Sequence, residues 1–581
     1  MKLAEFGRRT EAEQAVIAGL GTGRVTVLGD GSRPEKDAGE DRRVDASLIR
    51  WLALGAPGDE AVRLHEKGLR IMGALVVSDG QCEPVLGEQF TPGLDLEGCA
   101  LAHDLMLVNC RFEHAPLLLG ARVQSLFLNG SALKGLTADG LEARRSVALR
   151  GVRATGEVRF LGARIGGDLV CVGGRFENPF DEEKEKTRRG STGRALTADG
   201  LEARGSVALR GVRATGEVRF LGARIDGDLV CDGGRFENAG GDSLTADGLE
   251  ARGRVALDGI HATGEVRLVG ARIGGNLECV GGRFENPFDE EKEKTRPGST
   301  GKALSAQGAR VTGALFWRPD EKGNKSRATG AIDLMAAEIG RINDDPACWP
   351  GPGDLLLDRC RYGAFTGKGI SGAERIRWLD LQTPERWGKD FWPQPWEHCA
   401  KVLREMGHAE GARQVLIAKE ARQRRANRVK VIRGPFESLP SEGLSGLLIG
   451  SILVTLVWLL MPVFLAHYLL LAARDWLLGA LIAYGHRPLR ALWWLAGLWL
   501  FGWGVFAAAH GDGGFKPNNA FILAEPEWAQ CEIGGERRSD HPSTLACYRD
   551  QPEAKGYPAF NPLFYSLDTL VPVVDLEVQA Y

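Results

Sequence analysis

The sequence has no C-x-x-C pair and no cluster of Cys and His at metal-ligand spacing. Those absences remove the usual signatures of disulfide exchange and of zinc or haem sites. It also lacks a glycine-rich phosphate loop in the right setting. Gly19-Leu-Gly21-Thr-Gly23 follows a helical stretch rather than a strand, and Gly298-Ser-Thr-Gly301-Lys302 lacks both the four-residue spacing and the Ser or Thr after Lys. Charge of one sign is missing too: the formal net charge is −3, which gives no sign of a nucleic-acid or strongly acidic partner for the chain as a whole. Aromatic residues make up only 7% of the chain against 78 glycines, a balance that suits thin loops better than a thick globular core. No secretory leader opens the sequence, so the bulk of the chain is expected in a reducing cytosol.

What is present is repetition. Leu136 to Asn286 is three copies of one unit, each opening LTADGLEAR and closing GGRFEN, with starts at Leu136, Leu196 and Leu244. Inside each copy runs a beat of 11: Leu136, Val147, Val158 and Leu169, or Gly140, Gly151, Gly162 and Gly173. Each beat holds two apolar-x-apolar triplets, such as Val158-Arg-Phe160 followed by Ala163-Arg-Ile165. A triplet of this kind is a short strand with its apolar pair on one face. The 2-then-3 spacing does not fit a helix, and glycines permit the corners between triplets. Four triplets, or two beats, make one turn, so Val158 recurs over Leu136, and stacked turns bury a continuous narrow core. The expected fold is mainly β, a β-solenoid that looks like the pentapeptide-repeat type of right-handed β-helix. The beat starts upstream, at Leu105-Met-Leu107 and Cys110-Arg-Phe112, and continues to Ala309-Arg-Val311 and Cys360-Arg-Tyr362. The solenoid is therefore assigned to 67–370.

The segment 1–66 is read as a helical cap over the open solenoid edge, with helix starts at Thr10-x-x-Glu13 and at Asp45. Copies one and three carry a charged insertion from Asn178 and from Asn286, expected as a solvated loop or a paired grip on a partner; copy two joins Asn238 to Leu244. The middle residue of many triplets is Arg: Arg153, Arg159, Arg164 and Arg175, then Arg213, Arg219, Arg224 and Arg235, then His261, Arg267, Arg272 and Arg283. Residues one turn apart, such as Arg153 and Arg175, should stack on one side. Glu142, Glu157 and Asp168 recur in register and are candidates to counter the arginines. The face is either an ion-laced solvated surface or an anion-, nucleic-acid- or acidic-protein-binding surface. Its candidate interaction residues are Arg153, Arg164, Arg175, Arg213, Arg224, Arg235, Arg272 and Arg283.

From Gly372 the pattern turns helical. Ile376, Trp378, Leu379 and Leu381 suggest one helix, and Trp396 to Lys419 a helical hairpin that resembles a single tetratricopeptide unit. A membrane-proximal basic run follows: Arg422, Arg424, Arg425, Arg428, Lys430 and Arg433. This bridge (371–434) leads into a membrane region (435–510). There Leu444–Ala473 holds no Asp, Glu, Lys or Arg, and Ala491–Ala509 is a second apolar stretch. The basic run should lie in the cytosol against anionic lipid of the inner membrane. A single crossing at Leu444–Ala473 would put Arg474, Arg487 and Arg490 outside, and Pro462 divides the segment, so a re-entrant or oblique course is expected. Ala491–Ala509 would then cross outward and leave 511–581 periplasmic, where Cys531 and Cys547 are a candidate disulfide. Phe564, Leu567, Leu570 and Val571 suggest a short amphipathic helix stopped by Pro572. The sequence stops at Tyr581, which leaves a further downstream span open.

The triplets of form GARIGG, the hairpin QPWEHCAKVLREMGHAEGAR, the stretch YGHRPLRALWW and the tail FNPLFYSLDTLVPVVDL resemble a family of bacterial membrane proteins with a cytosolic pentapeptide-like solenoid. The resemblance implies architecture and an inner-membrane location. Some members carry the label of membrane-associated oxidoreductase, but the resemblance carries no catalytic residue, cofactor or metal onto positions of this chain. His398 and His408 read as packing or surface histidines. The function expected is a membrane-tethered, non-enzymatic scaffold for an unknown protein partner, with homo-oligomerisation open and no specific nucleic acid. Its alternatives are a sensor-effector whose membrane segments gate or permeabilise, and an oxidoreductase on the family label alone.

Overall fold

The structure is a computed structural model that describes residues 2–78, 93–179, 193–295, 301–387, 389–437, 444–511, 515–517, 519–557 and 559–571, with side chains undescribed at 295, 386–387, 432–437, 444–458 and 511. It divides into two compact units, Met1–Lys419 and Glu420–Tyr581.

In the first unit the short triplets form two large parallel sheets, of 20 and 18 strands among the described residues, in a solenoid-like stack. Each turn contributes two strands to each sheet. Pairing runs from one turn to the next at one constant step: Glu142 with Arg164, Val147 with Leu169, Arg153 with Arg175, Leu136 with Val158. That step follows from the sequence beat, because any other register would turn apolar partners outward. Phe160 and Phe220, Leu149, Leu209 and Leu257, and Phe176, Phe236 and Phe284 are all fully buried in columns. Cys171, Cys231 and Cys279 are buried fillers in the same core, and burial pushes the Cys171 thiol up to about 12, which leaves it an inert packing group.

The insertions leave this register intact. Val158 pairs with Leu196, well beyond the ordinary step, so the extra residues of copy one loop out between two strands that stay in the sheet. Copy two has no such loop, but Arg235–Thr245 is one strand whose register shifts between Glu237 and Leu244, a residual bulge. One asparagine closes every version. The Nδ2 of Asn178, Asn238 and Asn286 donates to the carbonyl of Arg194, Asp242 and Lys302 at 2.8, 2.7 and 2.7 Å. The next turn meets each asparagine with a glycine, Gly216, Gly264 and Gly330, at φ of +110°, +116° and +118°. A Cβ there would fall 2.5–2.6 Å from the asparagine carbonyl oxygen, so the close approach requires glycine. Of the insertions, 180–192 and 296–300 lie outside the described residues.

Both N-terminal helix starts form. Thr10 and Glu13 make a reciprocal capping box before Glu11–Gly19, and Asp45 caps Ala46–Ala53. The 1–66 segment is not helical alone, however. Thr26–Val27 and Arg43–Asp45 already pair with Ile71–Met72 and Leu75–Val77, so the sheets begin inside it. Val27 is exposed, and neither strand carries the full apolar beat, which is why periodicity missed them.

At the other end, Gly372–Leu379 and Pro393–Glu405 cover the last strands. Arg375 is fully buried, donates to both oxygens of Asp344 at 2.9 and 2.6 Å, and lies 3.7 Å over the Phe365 ring. His398 Nε2 lies 2.8 Å from the Tyr362 backbone N–H and 2.9 Å from its carbonyl oxygen, accepting from the first in one tautomer and donating to the second in the other, while His408 is exposed. The hairpin closes at Gly407 and continues as Ala409–Glu437.

In the second unit two helices are long and apolar enough to span a membrane, with spans at Leu459–Gly485 and Arg490–His510. Pro462 lies inside a continuous helix, Leu444–Ile482, rather than dividing it. A proline can be held this way where neighbouring groups satisfy the freed backbone. Side chains such as Leu470, Trp476, Trp493 and Phe501 point outward. The tail helix, Pro562–Leu570, forms as expected; it buries Ser566 and Asp568, exposes Phe564 and leaves Leu567 and Leu570 half-buried. Ser566 donates to the Trp499 carbonyl at 2.9 Å beside Gly502, and Trp499 Nε1 donates to the Leu563 carbonyl at 2.9 Å. Polar and small residues between helices, with apolar ones outside, is the pattern lipid favours. Pro572 lies outside the described residues. Cys531 and Cys547 are joined in a disulfide beside Trp528 and Tyr548.

Two measurements check this account. Replacing 179–195 by Ala-Gly-Gly-Asp-Ser, the connection of copy two, should change unfolding stability by no more than about 1 kcal/mol, since loop closure depends only weakly on length. Burial lowers the His398 pKa below 6.5, so its stabilising contribution is complete above pH 6.5 and falls as the pH drops toward the folded value. Hydrogen exchange should show protection of the Tyr362 amide falling over that range in the native chain, and no such fall in His398→Gln.

Candidate functional site

Turn-on-turn pairing places every middle-of-triplet residue in a vertical column, about 4.8 Å from its neighbours above and below. The twelve positions read as one arginine face separate into three columns with different neighbours.

The first is internal to the scaffold. Arg159, Arg219 and Arg267 alternate with Thr or Ser along the stack. Each grips an aspartate from the preceding turn: Arg159–Asp139 at 2.6 Å, Arg219–Asp199 at 2.8 Å, Arg267–Asp247 at 2.7 Å. The same carboxylates accept the backbone N–H of Leu161, Leu221 and Val269. These arginines tie corners together.

The second column alternates in sign. Arg122, Glu142, Arg164, Glu202, Arg224, Glu250 and Arg272 follow one another on successive strands. Ion pairs of 2.9–3.8 Å link them throughout. Arg164, Arg224 and Arg272, three of the candidate interaction residues, are therefore already countered. The groove along this column, about 630 Å³, is walled by both signs of charge.

The third column does not alternate. Arg153, Arg175, Arg213, Arg235, His261, Arg283 and Arg327 occupy seven consecutive turns. All six arginines are exposed. Beside them runs a sparser acidic row, Glu177, Glu237 and Glu285, separated by Thr215 and Thr263. Glu177 pairs with Arg175 at 3.4 Å, Glu237 with Arg235 at 2.9 Å, and Glu285 sits 3.4 Å from His261. Arg153, Arg213, Arg283 and Arg327 have no ion-pair partner among the described residues. Like charges on adjacent strands repel, and the glutamate row offsets that cost only at Arg175 and Arg235. The residues expected to counter the arginines do so outside this column: Glu142 pairs with Arg164 at 3.6 Å, and in copy two Glu217, the equivalent of Glu157, pairs with Arg219 at 3.8 Å. Glu142 serves the alternating column, Glu157 accepts from the Thr197 hydroxyl, and Asp168 accepts from the backbone N–H of Ser206.

The upper part of this column is built into a groove of about 770 Å³. Arg213, Arg235, His261 and Arg283 line one side, and the turn that carries Lys325 and Arg327 overhangs its end. Ser326 fixes that turn: its hydroxyl lies 2.7 Å from both the Cys279 and Arg318 carbonyls, donating its one proton to either, and accepts from Gly281 N at 3.0 Å. Asp320 also lines the groove; the Asn324 amide holds its carboxyl below the usual range, so it stays a negative charge at that end. Lys325 and Arg327 were not legible as site residues, because the Arg318–Lys325 excursion interrupts the beat.

The basic helix is only partly available. Arg424 donates to Asp475 at 3.2 Å, Arg428 pairs with the same carboxylate, and Asp475 is buried. Arg425 is exposed, Arg422 and Lys430 have interactions of their own, and the Arg433 side chain lies outside the described residues. Among the described residues no group of three or more His, Cys, Asp or Glu is placed to hold a metal ion. No family model, curated protein or solved structure matches this chain.

The columns differ in what their loss should do. Asp199→Ala removes an acceptor shared by Arg219 and the Leu221 N–H and should cost about 1–3 kcal/mol. Arg213→Ala should stay within about 0.5 kcal/mol of the parent. Denaturant unfolding of the two variants measures the difference.

Proposed function

We propose that the chain is a membrane-tethered, non-enzymatic scaffold. Its β-solenoid, a right-handed β-helix of the pentapeptide-like type, is presented in the cytoplasm of a bacterial cell and engages a protein partner through the cationic column. The observation that carries this reading is the arginine column from Arg153 to Arg327, interrupted at His261, in which Arg153, Arg213, Arg283 and Arg327 have no ion-pair partner among the described residues. A surface that leaves most of a column of like charge without a counter-ion is organised for a partner of opposite sign. Right-handedness is supported by the strong preference of parallel strand connections for that hand. Attachment to the inner membrane is supported by the two apolar helices and by the basic helix before them, with Arg425 exposed to meet anionic lipid. A periplasmic tail is supported by the Cys531–Cys547 disulfide, since such bonds persist in oxidising compartments. The sequence resemblance to bacterial membrane proteins with a cytosolic solenoid agrees with this arrangement.

The test is in-cell crosslinking of the full-length protein after membrane fractionation. The protein should stay in the carbonate-washed membrane pellet, and its crosslinked species should disappear in Arg213→Glu combined with Arg283→Glu. They should persist in Arg164→Glu combined with Arg224→Glu. Recovery of the protein in the soluble fraction, or a crosslinking pattern indifferent to which column is reversed, overturns the reading.

A further inference from the structure

We propose that the groove over Arg213, Arg235, His261, Arg283 and Arg327 receives an acidic α-helix of a partner protein, laid along the stack with one carboxylate per turn of the solenoid. This rests on the scaffold reading above and names the chemistry of its partner.

Spacing is the first argument. The cationic side chains repeat at about 4.8 Å, the distance between paired strands. A helix with acidic residues at i, i+3, i+7, i+10 and i+14 presents carboxylates on one face about every 3.5 residues, or about 5.2 Å at roughly 1.5 Å per residue. Over the four steps from Arg213 to Arg327 the two ladders drift by only about 2 Å, well within the reach of arginine side chains. An extended peptide repeats on one face at about 6.7 Å and would be out of step by nearly a full rung after two or three steps. Phosphates of a nucleic-acid strand advance about 3.4 Å along the axis and lose register in the other direction.

Chemistry is the second argument. A single-stranded nucleic acid needs flat aromatic platforms for its bases. Among the described residues that line the groove the one ring is the His261 imidazole, with no Phe, Tyr or Trp, and the floor includes Gly211, Gly233 and Gly259. At those three glycines a Cβ would meet nothing within 4 Å, so the floor is open beside Arg213, Arg235 and His261, whereas at Gly281 the turn of Asp320 and Asn324 closes in. The flanking row of Glu177, Glu237 and Glu285 would repel a continuous line of phosphates. A helix can instead turn a neutral or basic residue toward that row, between its own carboxylates. The flanking acids thus select for a partner with alternating faces rather than uniform negative charge.

The overhanging turn gives polarity. Lys325 and Arg327 concentrate positive charge at one end of the groove, where Ser326 holds the turn in place. The C-terminal end of a helix carries partial negative charge and its free carbonyls, so that end should point toward Arg327.

The full-length protein in lipid nanodiscs tests this with three labelled probes of equal charge. One is an Ala/Gln helix carrying Glu at i, i+3, i+7, i+10 and i+14. Another is the same composition broken by two prolines, and the last is oligo(dT). The helical probe should bind best, with the other two weaker by about fivefold or more. Arg213→Glu with Arg283→Glu should weaken it by about tenfold or more, Arg213→Gln with Arg283→Gln by a smaller factor, and Arg164→Glu with Arg224→Glu by less than about twofold. Tighter binding of oligo(dT), equal binding of the proline-broken probe, or equal loss in the two double reversals overturns the proposal. If no probe binds while the Arg213→Glu/Arg283→Glu pair still loses its in-cell crosslinks, the acidic-helix assignment falls alone and the scaffold reading stands. If neither probe binding nor crosslinking responds to that pair, both fall.

Discussion

Strand-on-strand pairing at one fixed step, a single turn of the stack, is the constraint on which the first unit depends. Once Leu136 lies under Val158 and Arg153 under Arg175, every position in the repeat becomes a column, and each column must solve its own problem of packing or charge. Inward columns solve it with Phe, Leu and Cys at full burial. Outward ones solve it in three ways. Arg219 is given a private aspartate, Arg224 is placed between Glu202 and Glu250, and Arg213 is left between Arg175 and Arg235. The contrast matters because all three arginines sit in the same triplet context. What separates them is only the residue that the fold sets above and below.

The same register explains how the repeat tolerates interruption. A long charged insertion and a short bulge occupy equivalent corners, each closed by one asparagine and met by one glycine of the next turn. The polar closure replaces the strand hydrogen bonds that a looped-out segment gives up. At the stack's end the demand is different. The last turn has no successor, and aromatic helices around Tyr362, Phe365 and Trp378 cover it, with Arg375 and Asp344 buried as a mutually satisfied pair. In the second unit the logic of burial is inverted. Leu470, Trp493 and Phe501 face out, while Asp475, Ser566 and Asp568 face in.

Most of the first unit was legible without coordinates, because a two-residue apolar beat with glycine corners admits few backbones. The capping residues Thr10 and Asp45, the core cysteines and the Arg153-under-Arg175 stacking could all be read from spacing. Strands at Thr26–Val27 and Arg43–Asp45 could not, since they lack the beat and pair only because a neighbouring turn offers an edge. Nor could Arg327, which rejoins its column after an excursion that hides the period.

The sequence by itself determined the step, the columns and the identity of the buried side chains, since period and hydrophobicity are local quantities carried by each residue and its near neighbours. Only the tertiary structure decided which charges meet. A counter-ion here comes from a residue about a full turn away, as in Arg159 with Asp139, or across a connection that an insertion lengthens, as in Arg164 with Glu202. Electrostatic pairing falls off within a few ångströms, and no pattern along a chain fixes a distance that short between residues that far apart.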